Sequence, residues 1–447
     1  MPDGAKPSPV PRRRPVIRPN TDPEHDPFGS IDTRPGRSRA AVVTKTLLAL
    51  FSVAALVATG IAWAAVNWFD DSTNTTSVLS DLGNDPNAPS ADDGATDILL
   101  VGNDTRTDAQ GNALPADVLK ELRTEPTNGL NTDTIMVLRI PHNGGEAQAV
   151  SIPRDTYVPI PGIGDNKING AYGLTRKKVA DELYAEGGRS SAEVQRTADQ
   201  AGRRALVSSV QNLTGLRVDH YAEITLYGFY LLTRAIGGVP VCLNNATSDK
   251  DSGANFAAGP QTVSGSDALA FVRQRHNLPD GDLDRIVRQQ VFLASAAKKV
   301  LSAGTLTDPR KLSGLVDTVK KSLTLDDNLN ILGFVQQAQS LLSGDVRFVT
   351  IPVTSLNGRS PAGQSIVTVD RQQVHDFIKN LVATAQQRRP APAGPSGDAP
   401  AGDTPTTTPT SATPNTAPGA LTVPAAAVQR PAAPTPPVTV NGTRCVD

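Results

Sequence analysis

Cysteine, methionine and tryptophan each occur only twice in these 447 residues, and aromatic residues make up 4% of them. Two cysteines exclude a disulfide-dense scaffold and a zinc module built on four thiolates. Neither sign of charge dominates: 43 Lys and Arg stand against 44 Asp and Glu, a net charge of −1. That balance leaves no general basic footprint, so no nucleic-acid partner is expected. No G-x-S-x-G, Walker or G-x-G-x-x-G motif is present, which removes support for serine-hydrolase, P-loop and dinucleotide-binding readings. No solenoid or propeller repeat is visible. Proline is scarce in the middle, because 22 of the 36 fall within residues 1–35 and 390–437. Such ends bury too little apolar surface to offset the entropy of ordering them.

Charge is also missing from residues 46–69, TLLALFSVAALVATGIAWAAVNWF. At roughly 1.5 Å per residue this run is long enough to cross a hydrocarbon core of about 30 Å. Trp63 and Trp68 lie near its end, where indole rings favour the membrane interface. Arginines and Lys45 precede it, whereas aspartates follow it and no Lys or Arg recurs until Arg106. The positive-inside bias then predicts a single-pass anchor in a lipid bilayer, with the N-terminus cytoplasmic and the remainder extracytoplasmic. A cleaved signal peptide is the competing reading, but the apolar run and the leader before it are both too long for one.

The expected organisation is a basic disordered segment over 1–45, the span 46–69 and an acidic flexible linker over 70–95. A folded domain over 96–388 and a Pro/Thr/Ala-rich disordered tail over 389–447 follow. Within the domain, apolar runs predict strands at 97–102, 134–140, 147–152, 222–225, 239–243 and 346–351. Helical spacing predicts helices at 177–186, 191–214, 226–236, 283–303, 309–322, 328–342 and 370–387. Residues 266–271 read as a short helix running into a strand. Strands interleaved with helices indicate an α/β fold with a mixed central sheet flanked by helices.

Five stretches place acids or bases beside strand ends or helix starts: GNDTR (102–106), NTDT (131–134), IPRDT (152–156), DNKIN (165–169) and AFVRQR (270–275), which leads into DLDR (282–285). On a strand, Arg273 and Arg275 would share a face; on a helix, Arg285 and Gln289 would do so. Several forked guanidinium groups suit a ligand with many phosphate oxygens. Asp104 and Asp133 would share that pocket only with Mg²⁺ between, since the ion takes one or two carboxylates plus phosphate oxygens. Taken together, the stretches point to a metal-assisted pyrophosphate site. Taken singly, each has a plainer use: an aspartate after a strand caps a turn, Arg154–Asp155 pairs at a strand end, and Arg285 or Arg288 pairs with Asp282 or Asp284.

In this order, GNDTR, NTDTIMV, SIPRDTYV, DNKINGAY, IGGVPV, ALAFVRQR and DLDRIVRQQ resemble the LytR–CpsA–Psr family of cell-wall glycopolymer transferases. The resemblance runs from about Asp97 to Ser302, and Asn103 stands where the family usually has serine. It implies transfer of a glycopolymer, with its linking phosphate, from a polyprenyl-pyrophosphate carrier to peptidoglycan. The Ala/Arg/Pro-rich composition and long unstructured ends look actinobacterial, and a family member of that kind would be similar to ligases that attach arabinogalactan to peptidoglycan. Carried over, Asp104 and Asp133 hold Mg²⁺ (or Mn²⁺), and Asp104, Asp133, Arg154 and Arg275 form the catalytic set. Arg106, Arg154, Lys167, Arg273, Arg275, Arg285 and Gln289 bind the pyrophosphate. The polyprenyl tail needs an apolar slot with Leu206, Val210, Tyr221, Phe229, Phe271 and Phe292 as candidate walls, although each is also a plausible core residue. A polyprenyl-pyrophosphate hydrolase and a non-catalytic wall-lipid-binding or regulatory protein are the competing functions.

Cys242 and Cys445 are expected to bond, because paired cysteines persist as disulfides in an oxidising compartment. The alternatives are a small core residue at 242 and a free or interchain thiol at 445.

Overall fold

The computed structural model describes residues 74–82, 89, 93–126, 130–142, 145–279, 281–301, 309–329, 346–387, 438–439 and 444–447. All of these residues belong to one compact unit, Ala65–Asp447. The apolar run 46–69 lies outside the described residues, as does 330–342 of the helix expected there. Among the described residues, no helix is long and apolar enough to cross a membrane.

In chain order the strands are β1 (Asn74–Thr76), β2 (Ala95–Asn103), β3 (Thr132–Pro141), β4 (Ala147–Ser151), β5 (Tyr157–Ile160), β6 (Gly164–Lys167), β7 (His220–Thr225) and β8 (Val239–Leu243). They continue with β9 (Thr247–Asp249), β10 (Ala254–Phe256), β11 (Gly259–Val263), β12 (Leu323–Asp326), β13 (Val346–Thr350), β14 (Ser355–Arg359), β15 (Ser365–Thr368) and β16 (Val438–Thr439). The helices are α1 (Val78–Leu82), α2 (Ala116–Glu121), α3 (Gly170–Glu186), α4 (Ser191–Thr214), α5 (Leu226–Ala235), α6 (Ser266–Arg273), α7 (Asp282–Leu301), α8 (Pro309–Ser322) and α9 (Arg371–Gln387).

Eight strands form one mixed sheet in the order β1-β12-β7-β2-β3-β4-β13-β16. The central β2, β3 and β4 are antiparallel, while β7 joins β2 and β13 joins β4 in parallel. Side chains alternate across the sheet, which separates two cores. Leu99, Val101, Ile135 and Val137 face a core that includes Leu206 and Val210 of α4 and Val374 of α9. Met136, Ala149 and Phe348 face the other, with Val241 of β8, Phe271 of α6 and Phe292 of α7.

Local chemistry sets the element ends. Ser190 and Glu193 form a reciprocal capping box that starts α4, and Gly215 in the left-handed region closes it. Close approach matters at Gly173 on α3, where a Cβ would overlap the carbonyl oxygen of Leu130. Gly173→Ala must therefore push α3 off the 130–133 segment, and overpacking of this kind costs about 1–3 kcal/mol. A urea titration should show that loss, and an unchanged midpoint would mean the segment yields freely.

Three expectations are corrected. The stretch 70–95 is not only a linker: β1 pairs in parallel with β12, and Val78 of α1 is fully buried in the core beneath α4. The expected disordered tail 389–447 has folded parts: β16 extends the sheet beside β13, and Val446 is buried. Arg273 and Arg275 do not alternate on a strand. Residues 266–273 are helical throughout and bury the consecutive Ala268, Leu269, Ala270 and Phe271, a run with no alternation to mark a strand, and Gln274 leaves the helix. A short apolar run does not by itself distinguish the two.

Cys242 and Cys445 form a disulfide, which joins β8 to the tail. Backbone bonds flank it, with Val446 N–H donating to the Cys242 carbonyl at 3.0 Å and Asn244 N–H to the Val446 carbonyl at 2.8 Å.

Candidate functional site

A cavity of about 490 Å³ lies between the sheet and α5, α6 and α7. Its inner walls are apolar, formed by Leu100 and Met136 of the sheet, Phe229 and Leu232 of α5, Val272 of α6 and Phe292 of α7. The Phe229 and Phe292 rings lie 5.2 Å apart. The same cavity ends on Asp104, Asp133, Arg154, Arg273, Arg275, Arg285 and Gln289. One continuous space therefore joins an apolar slot to a strongly ionic mouth.

The ionic residues arrive there from separate elements. Asp104 follows β2 and Asp133 lies near the start of β3, two antiparallel neighbours. The Asp104 carboxylate accepts Asn131 N–H at 2.8 Å and pairs with Arg106 Nη1 at 3.2 Å. Arg154, just past β4, places Nη1 2.8 Å from Asp133 Oδ1. The DNKIN turn organises these stretches through its backbone. Asn169 N–H donates to the Arg154 carbonyl, and the Asn169 carbonyl accepts Thr132 N–H, both at 3.1 Å.

Arg285 is 2% exposed and lies one helical turn before Gln289, which donates to the Val272 carbonyl at 3.2 Å. Asp282 gathers the cations, standing 3.0 Å from Arg285, 3.4 Å from Arg154 and 3.9 Å from Arg275. Arg273 Nη1 is buried without a hydrogen-bond partner. Arg106 and Lys167 do not line the cavity. Lys167 instead holds Asp155 at 2.9 Å, which in turn lies 3.7 Å from Arg154.

Electrostatics separates the two carboxylates. Burial, aided by the Asp133 charge, pushes the Asp104 carboxyl up despite its bond from Asn131. Burial also raises Asp133, but Arg154, Arg285 and Arg275 outweigh it and hold that carboxyl below its usual range. Arg285 is pushed down to about 10 by burial and by the neighbouring Arg154. An excess of desolvated guanidinium is what a polyanionic ligand would relieve.

Of the six expected lipid-slot residues, only Phe229 and Phe292 line the cavity. Leu206, Val210 and Tyr221 belong to the core on the opposite face of the sheet. Their helical and alternating spacing is satisfied by packing under α4. Phe271 sits behind the wall, edge-on to Phe256 and against Phe292.

Sequence reasoning missed the role of Asp282, read as a simple helix partner, and missed Glu223 altogether. Glu223 on β7 borders the cavity and accepts from Asn103 at 3.0 Å, Arg203 at 2.8 Å and Tyr221 at 2.9 Å. A glutamate at a buried strand position is the signal, since such a charge survives only when paired. Asn103, the departure from the family pattern, thereby serves as an amide donor to that carboxylate.

The LytR_cpsA_psr family model matches residues 67–383. The chain is 49% identical over 356 residues to the cell wall biosynthesis protein LcpA of Corynebacterium glutamicum, covering 80% of this chain and 68% of that protein. It is 31% identical over 198 residues to the polyisoprenyl-teichoic acid–peptidoglycan teichoic acid transferase TagU of Enterococcus faecalis, 44% of this chain and 56% of that one. Among solved structures, the LytR-Csp2A-Psr enzyme from Actinomyces oris aligns at a TM-score of 0.45 and 19% identity, over 66% of this chain and 92% of that one. The matched segment takes in every stretch that forms the cavity mouth, and the chain belongs to the LytR_cpsA_psr family.

Proposed function

We propose that this chain is a phosphotransferase that moves a glycopolymer, with its linking phosphate, from a polyprenyl-pyrophosphate carrier to peptidoglycan. The observation that carries this reading is the two-ended cavity. An isoprenoid fits the apolar slot between α5, α7 and the sheet, and the pyrophosphate then meets Arg154, Arg273, Arg275 and Arg285 at its mouth. An acceptor sugar hydroxyl bonds to the glycan-bearing phosphorus, the bridging P–O bond breaks, and prenyl phosphate leaves as the hydroxyl proton is released. Such chemistry needs positioning and charge neutralisation more than covalent help.

A divalent cation suits the two carboxylates. Asp104 and Asp133 repel one another enough for the charge of one to raise the other, and both are hard oxygen donors beside a phosphate-sized cationic pocket. Asp104 and Asp133 would hold Mg²⁺, which supplies further neutralisation of phosphate oxygens when bound. The arginines orient the pyrophosphate, and Asp282 fixes the arginines.

The run 46–69 anchors the chain in the cell membrane, with the catalytic domain outside. The Cys242–Cys445 disulfide supports that side, since such bonds are rare in a reducing cytosol. Arabinogalactan is the polymer to try first.

The test is incubation of the full chain in detergent with a polyprenyl-pyrophosphate-linked oligosaccharide, Mg²⁺ and nascent peptidoglycan. A phosphodiester-linked product is expected, and release of glycan phosphate without coupling would make the chain a hydrolase instead. Arg285→Met should weaken carrier binding by about 2–5 kcal/mol, because a buried phosphate charge is left without its partner. Titration of a fluorescent polyprenyl pyrophosphate checks this, and wild-type affinity would take Arg285 out of the site.

A further inference from the structure

The arginine-bearing turn at the cavity mouth is braced from behind by Gln274, Arg288 and Thr247, none of which lines the cavity. Gln274 separates Arg273 from Arg275 and is fully buried. Both ends of its amide are used. Its oxygen accepts Arg288 Nη1 at 2.7 Å, while its nitrogen donates to Thr247 Oγ1 at 2.6 Å and to the His276 carbonyl at 3.0 Å. The turn is pinned once more where Arg275 N–H meets Asp249 Oδ2 at 3.2 Å.

Arg288 is as buried as Gln274 and lies one turn beyond Arg285 on α7. Its guanidinium carbon sits 5.1 Å from the centre of the Phe271 ring, and its Nε donates to the backbone oxygen of Asp447. Asp447 is itself held by Asn245 Nδ2 at 2.8 Å, beside the Cys242–Cys445 bond. Burial pushes Arg288 down to about 10, which leaves it cationic at neutral pH. A buried guanidinium can donate but never accept, so it dictates which way the Gln274 amide faces.

We infer that Arg288 and Gln274 are positioning residues: a buried clamp, completed by the segment 444–447, that fixes the turn presenting Arg273 and Arg275 to a pyrophosphate. The inference rests on the functional reading above and adds residues that touch no substrate. Freed from the clamp, the turn would have to be ordered by each ligand as it binds, and that ordering subtracts from affinity. The apolar slot is lined by other residues; Arg288 reaches it only through Phe271 packed on Phe292, whereas Thr247 makes no such contact.

That asymmetry supplies the experiment. Binding of geranylgeranyl pyrophosphate and of geranylgeraniol, the same chain without phosphates, is measured for the full-length wild type, Arg288→Met, Gln274→Met and Thr247→Val. The two buried variants are expected to lose about tenfold in pyrophosphate affinity and Thr247→Val about threefold, with alcohol affinity unchanged. Thr247→Val keeps its shape and leaves the buried cation paired, so it decides the matter alone if the others fail to fold. Wild-type pyrophosphate affinity in the variants, or a parallel loss for the alcohol, overturns the clamp. Failure of the wild type itself to bind the pyrophosphate overturns the functional reading and the clamp with it.

Discussion

Asp133→Asn should lower glycan transfer about a hundred- to a thousandfold on the proposed reading that this carboxylate holds the cation neutralising the phosphates, the usual cost of removing one charge-stabilising group. The side chain is about one-third exposed and pairs only through Oδ1 with Arg154, so an amide oxygen can take over part of that contact. The loss should therefore appear in turnover and in Mg²⁺ affinity rather than in folding. Asp104→Asn is expected to behave alike, except that its amide must also accept from Asn131 N–H. Transfer assays with a Mg²⁺ titration and far-UV dichroism separate these effects. Full activity with unchanged Mg²⁺ dependence in both variants would leave the carboxylates as mere partners of Arg154 and Arg106.

Arg203→Met is expected to cost about 3–5 kcal/mol of stability, the penalty for stripping a buried charge of its partner. The stranded group is Glu223, 4% exposed, whose remaining donors would be Asn103 and Tyr221. Burial raises the Glu223 carboxyl, but Arg203, with hydrogen bonds from Asn103 and Tyr221, holds it below its ordinary range. With the folded pKa depressed, its contribution is complete above the unfolded value and is lost as pH falls through the folded one. Wild-type stability in urea should thus decline on the acid side. In Arg203→Met the carboxyl is raised instead, so the gap from wild type narrows as pH falls. A gap that stays constant with pH would show that lost packing, not the ion pair, accounts for the penalty.

The elements of the catalytic half were largely legible because their periodicities are clean. Helix α4 and strand β8 fall where spacing puts them, and four of the five dispersed motifs lie at strand ends while the fifth, AFVRQR, ends helix α6. What was not legible depends on long-range partners. Leu206, Val210 and Tyr221 have the same apolar pattern whether they face a ligand slot or a core, and only the sheet's two faces decide which. Three-residue strands such as β1 carry too few positions for alternation to show, and β1 exists because β12 is there to pair with it. Asp282 looks like an ordinary i, i+3 helix partner until the fold brings Arg154 and Arg275 beside it.

The return of the tail also sets an order in time. Strand β16 and the segment 444–447 are synthesised long after α7, yet they complete the sheet edge and the covalent link to β8. A ring closed across 203 residues restricts the unfolded chain by about 5 kcal/mol on chain-entropy grounds. None of that stabilisation exists while the chain is still emerging. The ring can therefore close only once Cys445 has been synthesised, 203 residues after Cys242, and oxidation of this one cysteine pair marks that step.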